Sequence, residues 1–440
     1  MMIRSLLAGT ALSLSLSAAA AQAQVTINWW HAMGGELGEL LEGVAEAFNE
    51  TQSDYRIVPS FRGTYAETMT GAIAAFRANQ QPHILQVFEV GTGTMMAAEG
   101  AIYPIYQLMA DHNVPFDPSA YLPTVVSYYT DPNGNMLSYP FNSSTPIMYY
   151  NREMFEAAGL DADTPPATWN EVVEYSRAIL ESGAAPCGFT TSWPSWVMLE
   201  NFSAWHNIPL GTRANGFEGF DTEFVFNNET VARHWDNLKA WQDEGVFRWG
   251  GPNTGPDAFP AFYAAECAMV FGSSASRAGV LRNTDFEVGY GFQPYYDDVP
   301  GAPQNTIIGG ATLWVLTGHS DAEYHGVARF FEYLSLPEVQ ASWHQVTGYL
   351  PITQASFDLT REQGYYDENP GADTSIRQMT LNPPTENSRG LRFGSFVQIR
   401  DVISEEMEAV MTGAKTGEQA TNDAVRRGNA LLREFEASIN

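Results

Sequence analysis

From residue 25 to about residue 100 the sequence alternates strand-like and helix-like stretches, and no other feature constrains the fold as tightly. VTINWWH (25–31), YRIVPSF (55–61) and HILQVFE (83–89) read as strands. Between the first two, GELGELLEGVAEAFNE puts Leu37, Leu40, Leu41, Val44, Ala45 and Phe48 on one helical face. Between the second and third, TYAETMTGAIAAFRANQ opens with Thr64 and Glu67 at capping-box spacing. Each helix must bury its apolar stripe on the sheet it crosses, and right-handed crossovers then imply an α/β, doubly wound, mainly parallel sheet. Ligands of such sheets sit beyond the carboxyl ends of the strands, where helix N-termini also point. Tyr65, first in its capped helix, and Glu89, last in the third strand, occupy that rim. Glu89 reads either as a solvated loop carboxylate or as an acceptor for ligand hydroxyls. Tyr65 reads either as an aromatic packed on its own helix or as a cleft residue.

At 440 residues the chain exceeds what one core usually serves, so two domains are expected. The stretch 146–300 has its own helices and strands. SWPSWVMLENFSAW carries Trp193, Trp196 and Trp205, which are either core or a flat apolar wall for a small ligand. ECAMVFGSSASRAG breaks from a strand into Gly272, Ser273 and Ser274, whose N–H groups and hydroxyls suit an anion. NTIIGGATLWVLTG places Gly309 and Gly310 inside a strand pattern, a sign of close backbone approach. VTGYLPIT puts Tyr349 in a turn, and FVQIRDVISEEMEAV puts Arg400 near the start of a helix. YPFNSSTPIMYYNREMF (139–155) joins a run of hydroxyl and amide side chains to an apolar strand. It is either a surface turn or a crossing between lobes that aims Ser144 into the gap.

Residues 1–23 have an early Arg4, an apolar Leu/Ala/Ser core and the small-x-small Ala21-Gln22-Ala23, the layout of a cleavable export signal. No later stretch reaches the roughly 20 apolar residues of a membrane span. In an exported chain Cys187 and Cys267 would be oxidised together, closing a loop that stabilises by roughly 4 kcal/mol; the alternative is two buried thiols. The net charge of −29, from 51 acidic against 22 basic residues, repels nucleic acid and anionic membranes and argues against both as partners. An arginine in a cleft is then there by local arrangement, because the surface supplies no general positive field. Hydrolysis would need paired carboxylates or a His/Asp metal cluster. His31 and Glu36 have no metal-ligand spacing and the eight histidines are scattered, so no catalytic residue, metal or cofactor is expected.

VFEVGTGTMMAAEGAIYPIY, YPFNSSTPIMYYNREMFEAAGL, LENFSAW, APQNTIIGGATLWV, WHQVTGYLPIT and GLRFGSFVQIRDV together carry a resemblance. In register over nearly the whole chain, the sequence resembles the periplasmic solute-binding proteins of ABC importers for sn-glycerol-3-phosphate and its diesters. The resemblance implies a soluble, monomeric, periplasmic protein of the two-lobed periplasmic binding protein fold that delivers a small ligand to inner-membrane permease subunits. The lobes are expected at 24–140 with 306–355 and at 141–305 with 356–440, joined by hinge crossings. By the same resemblance Tyr65 and Glu89 hold glycerol hydroxyls and Trp193 and Trp196 form the cleft floor. Ser144, Ser273, Gly310, Tyr349 and Arg400 fall on the phosphate side. Glu89 would repel phosphate, so it is expected at the opposite end of the ligand. A binder of neutral sugars or oligosaccharides is the alternative, and an exported glycosidase or phosphodiesterase the more distant one.

Overall fold

A computed structural model describes residues 24–439 apart from 99, 132, 253 and 254. The export signal expected over 1–23 lies outside the described residues. The first of two sheets has the order β2 (Tyr55–Phe61), β1 (Val25–His31), β3 (Ile84–Phe88), β11 (Gly309–Leu316), β4 (Ile102–Tyr103), and β5 (Tyr139–Ser144) also pairs with β11. The second has the order β10 (Val288–Gly291), β6 (Pro146–Asn151), β9 (Cys267–Ser273), β7 (Cys187–Thr191), β8 (Phe247–Arg248).

The sheets are mixed, which corrects the expectation of mainly parallel ones. β1 is parallel to β2 and β3, as the strand–helix alternation requires. β11, however, runs antiparallel to β3, β4 and β5. In the second sheet β7 is parallel to β8 and β9, while β6 is antiparallel to β9 and β10. A parallel neighbour needs a helical crossover within the lobe. β6 and β11 are entered from the other lobe, so no such crossover dictates their direction.

β3, β11, β6 and β9 are buried on both faces or nearly so, whereas β1 buries one face and leaves Thr26 and Asn28 exposed on the other. Ile147 and Tyr149 of β6 face one core cluster and Met148 and Tyr150 the other. Likewise Leu313 and Val315 of β11 point opposite to Trp314 and Leu316. One cluster runs without a break from Leu85 and Val87 under the first sheet, through Phe88, Trp196 and Ile307, to Phe189 and Trp235 in the second lobe. The two lobes therefore touch.

Among the described residues the chain crosses between lobes at three places. β5 belongs to the first sheet and β6 to the second, so the first crossing falls at Thr145 rather than after 140. The second occupies 292–308, between β10 and β11. The third comes later than residue 355, because the helix Gln354–Glu362 still packs on the first-lobe helix Pro337–Thr347. Gln378 ties the three together: its Nε2 donates to Pro146 O and Thr306 Oγ1, and its Oε1 accepts from Gln293 N. Thr145 Oγ1 donates to Thr306 Oγ1 at 2.7 Å in the same knot.

Cys187 and Cys267 stand in register on the parallel neighbours β7 and β9, Cα atoms 4.4 Å apart and sulfurs bonded at 2.04 Å. Among the described residues no helix is long and apolar enough to cross a membrane.

Candidate functional site

A cavity of about 120 Å³ lies between the lobes, beyond the carboxyl end of β3. Tyr65, Glu89, Ser144, Gly310 and Tyr349 line it from the first lobe, and Trp193, Trp196, Ser273 and Arg400 from the second. The structure thus gathers all nine residues singled out in the sequence around one gap. Ala66, Phe88, Val397 and Asp401 complete the wall.

Tyr65 is placed by its capping box, in which Glu67 N donates to Thr64 Oγ1 and Thr64 N donates to Glu67 Oε2. Its ring stacks on Phe88 with centroids 5.1 Å apart, so it packs on β3 rather than on its own helix. Its hydroxyl accepts from Asn142 Nδ2 at 3.1 Å, and Asn142 Oδ1 accepts in turn from Gln86 Nε2 at 2.9 Å. The Tyr65 hydroxyl also bonds to that of Tyr349, Tyr65 donating and Tyr349 accepting, so it is the Tyr349 hydrogen that remains uncommitted at the cavity. Burial, with Tyr349 beside it, raises the Tyr65 pKa well above the ordinary phenol value. Burial pushes Tyr349 up to about 12, so both phenols are neutral donors throughout the ordinary pH range.

Two serines end strands at the gap. Ser144 closes β5 opposite Gly309, and its hydroxyl makes no hydrogen bond among the described residues. Ser273 closes β9, where its Oγ accepts from Ala275 N at 3.2 Å and keeps its own hydrogen uncommitted.

The paired glycines mark two different close approaches. A Cβ on Gly309 would stand 2.4 Å from Cζ2 of Trp196, so the indole lies on that glycine. Gly310 has φ +95, and a Cβ there would stand 2.0 Å from Asn142 O on β5. Trp196 is 6% exposed and its buried Nε1 has no hydrogen-bond partner. Trp193 meets it edge to face at 6.2 Å and holds the left-handed backbone at φ 48, a strain of about 1–3 kcal/mol concentrated at the gap. A π-helical turn, Trp196–Asn201, follows directly. Trp205 is fully buried and belongs to the core.

That π-helical turn carries a residue the sequence reading missed. Arg400, 7% exposed on the helix Phe396–Met411, donates from Nε to Glu200 Oε1 and from Nη2 to Glu200 Oε2, each at 2.7 Å. Ser195 Oγ donates to Glu200 Oε1 at 2.9 Å. Arg400 Nη2 also donates to Glu89 Oε1 at 2.6 Å. Glu89 is 5% and Glu200 1% exposed, so the solvated-loop reading of Glu89 is overturned. The expectation that Glu89 stands apart from the cationic end is corrected as well. The turn Glu89–Gly91 meets the helix of Arg400, and no buried carboxylate can stay ionised there without a cation.

The electrostatics follow from burial and pairing. Burial raises the Glu89 pKa above 4.5, with Arg400 opposing and Glu200 reinforcing that shift. For Arg400 burial acts downward, but Glu200 and then Glu89 outweigh it and raise its pKa, so it is always charged. One guanidinium thus faces two carboxylates. A lone glutamate in the apolar run WVMLENF was the available cue for Glu200, since such a residue is almost never buried unless paired.

The histidines are less scattered in space than in sequence. The antiparallel β3–β11 pair brings His83 and His319 together, rings stacked at 3.9 Å, with Glu323 Oε1 3.2 Å from His83 Nε2. This group could geometrically hold a metal. His83 Nδ1 accepts from Asn28 N, so its Nε2 carries the hydrogen, and His319 Nε2 faces Pro82 O. That network commits the His83 nitrogens to hydrogen bonding rather than to a cation.

Residues 43–372 match the model of the bacterial extracellular solute-binding protein family. The chain is 48% identical over 435 residues to the sn-glycerol-3-phosphate-binding periplasmic protein UgpB of Salmonella paratyphi A, covering 99% of this chain and 98% of that protein. It is 48% identical to the UgpB of Pectobacterium atrosepticum, covering 94% and 92%. Among solved structures it is similar to UgpB from Mycobacterium tuberculosis in complex with glycerophosphocholine, at TM-score 0.75, 19% identity and coverage of 93% and 98%. It is also similar to the cyclic alpha-maltosyl-1,6-maltose binding protein from Arthrobacter globiformis, at TM-score 0.73, 21% identity and coverage of 93% and 100%.

Proposed function

Because the chain belongs to the bacterial extracellular solute-binding protein family, we infer that it captures sn-glycerol-3-phosphate, glycerophosphodiesters such as glycerophosphocholine, or both. It does so in the periplasm and delivers the ligand to the permease subunits of an ABC importer. The observation that carries this reading is the convergence on one interlobe cavity of uncommitted donors from both lobes: the hydroxyls of Ser144, Ser273 and Tyr349, the last held in place by Tyr65, and the indole Nε1 of Trp196. A phosphate stripped of water needs several such donors at once. Trp193 and Trp196 supply apolar walls for the carbon chain, and Glu89 supplies an acceptor for hydroxyls.

Donors divided between lobes make closure and binding one event, since the closed state gains contacts that the open state lacks. Calorimetry with sn-glycerol-3-phosphate, glycerophosphocholine and maltose tests the reading. Heat of binding with either phosphorylated compound and none with maltose is expected; binding of maltose alone would replace the reading with that of a sugar binder. Glycerophosphocholine incubated with the protein is expected to release no choline.

A further inference from the structure

The cation of the site is already spent. Arg400 is clamped through two parallel hydrogen bonds by Glu200 and shares Nη2 with Glu89, so the three buried groups sum to one negative charge when all are ionised. Asp401 adds a further carboxylate to the cavity wall. Glu200 itself does not line the cavity; it lies behind Arg400, fixed by Ser195. What the cavity offers an incoming phosphate is therefore neutral donors and the outer nitrogen of Arg400, Nη1, which makes no hydrogen bond among the described residues.

Taking the ligand to be a glycerol phosphate or its diester, we propose that Glu200 is a specificity-determining residue that sets the charge of the site. By neutralising Arg400 from behind, it penalises the second negative charge of a phosphomonoester relative to the single charge of a phosphodiester. A monoester carries between one and two charges near neutrality because its second pKa is about 6, whereas a diester carries one. Neutral donors serve both ligands alike, so discrimination between them falls to the net charge behind the donors.

Glu200→Gln keeps the shape and one acceptor for Arg400 and leaves one guanidinium facing one carboxylate, Glu89. Its expected effect is on the ratio of affinities. A dianion should gain about tenfold over a monoanion from removal of one buried charge at the distance of a cavity wall. General damage to the site would weaken both ligands together and leave the ratio where it was.

The charged and titratable groups around the Glu89–Arg400 pair come from every element packed on it. They are Glu200 on the π-helical turn, Asp401 beside Arg400, Tyr65 and Tyr349 in the cavity, and Tyr128 and Tyr129 behind Glu89. Burial holds all four phenols neutral, so they contribute no change of charge between pH 8 and 5.5.

The experiment is calorimetry of sn-glycerol-3-phosphate and glycerophosphocholine against the wild-type protein and Glu200→Gln at pH 8. The expected result is a shift of the affinity ratio by about tenfold toward the monoester in the variant. An unchanged ratio overturns the proposal. Should the variant not fold, wild-type protein decides alone. Monoester affinity should rise as pH falls from 8 to 5.5, because the ligand loses its second charge, while diester affinity changes less; a monoester affinity that falls or stays level overturns the proposal. If neither compound binds the wild-type protein at any pH, it is the assignment of the ligand that fails.

Discussion

Arg400 Nη2 lies 2.6 Å from Glu89 Oε1, and this contact joins the helix Phe396–Met411 of the second lobe to the turn that ends β3 in the first. A guanidinium that bridges two lobes, and is gripped from behind by Glu200, is at once part of the cavity wall and part of what holds the lobes together.

Arg400→Ala should therefore do two things. Loss of the charged donor should weaken phosphorylated ligands by about 100-fold. Leaving Glu89 and Glu200 buried without their cation should also cost about 3–5 kcal/mol of stability. Calorimetry well below the melting temperature separates the effects, and unchanged affinity there would remove Arg400 from the site. Arg400→Lys keeps the charge but cannot reproduce the fork, and should recover only part of either loss.

Glu89 should give the stability a pH slope. Burial raises its carboxyl above 4.5, so just above that pH the native protein holds a proton that the unfolded chain has released. Stability from this group is full below 4.5 and is lost as pH rises through the higher native value. Glu89→Gln should flatten that part of the profile, measured by urea melts at half-unit pH intervals; a profile identical to that of the wild type would show that Glu89 does not titrate there.

Gly309→Ala tests the seat of Trp196. The added Cβ would stand 2.4 Å from the indole, and the ring must move off the strand. A loss of about tenfold in ligand affinity with unaltered far-ultraviolet circular dichroism is expected, in line with about 1.4 kcal/mol of displaced contact. Intact affinity would mean that the indole is not part of the binding surface.

Replacing Cys187 and Cys267 with serine together should lower stability by about 4 kcal/mol through the 80-residue loop, with ligand affinity retained because neither residue lines the cavity. Calorimetric melts of wild type with and without reductant should show the same difference. A melting temperature indifferent to both treatments would exclude the bond as a source of stability.

The parts of the fold legible in sequence were those set by local pattern. The helix Tyr65–Arg77 starts where Thr64 and Glu67 can cap it, and the strand that delivers Glu89 is apolar in both registers. Ser144, Ser273, Gly310 and Tyr349 were found because serines, glycines and tyrosines at strand ends and turns have positional meaning. Strand direction was not legible in the same way. β6 and β11 are as apolar as parallel strands, and only their entry from the opposite lobe makes them antiparallel to their neighbours.

By itself the sequence determined which segments become strands and helices, which strand ends and turns carry polar groups, and that a net charge of −29 leaves no positive field at the surface. Tertiary structure alone decided that Glu89, Glu200 and Arg400, up to 311 residues apart, share one buried contact, and that Gln378 ties three crossings. The reason is physical: local pattern encodes the period and the punctuation of the backbone, whereas a buried charge finds its partner only when the lobes meet and water is excluded between them.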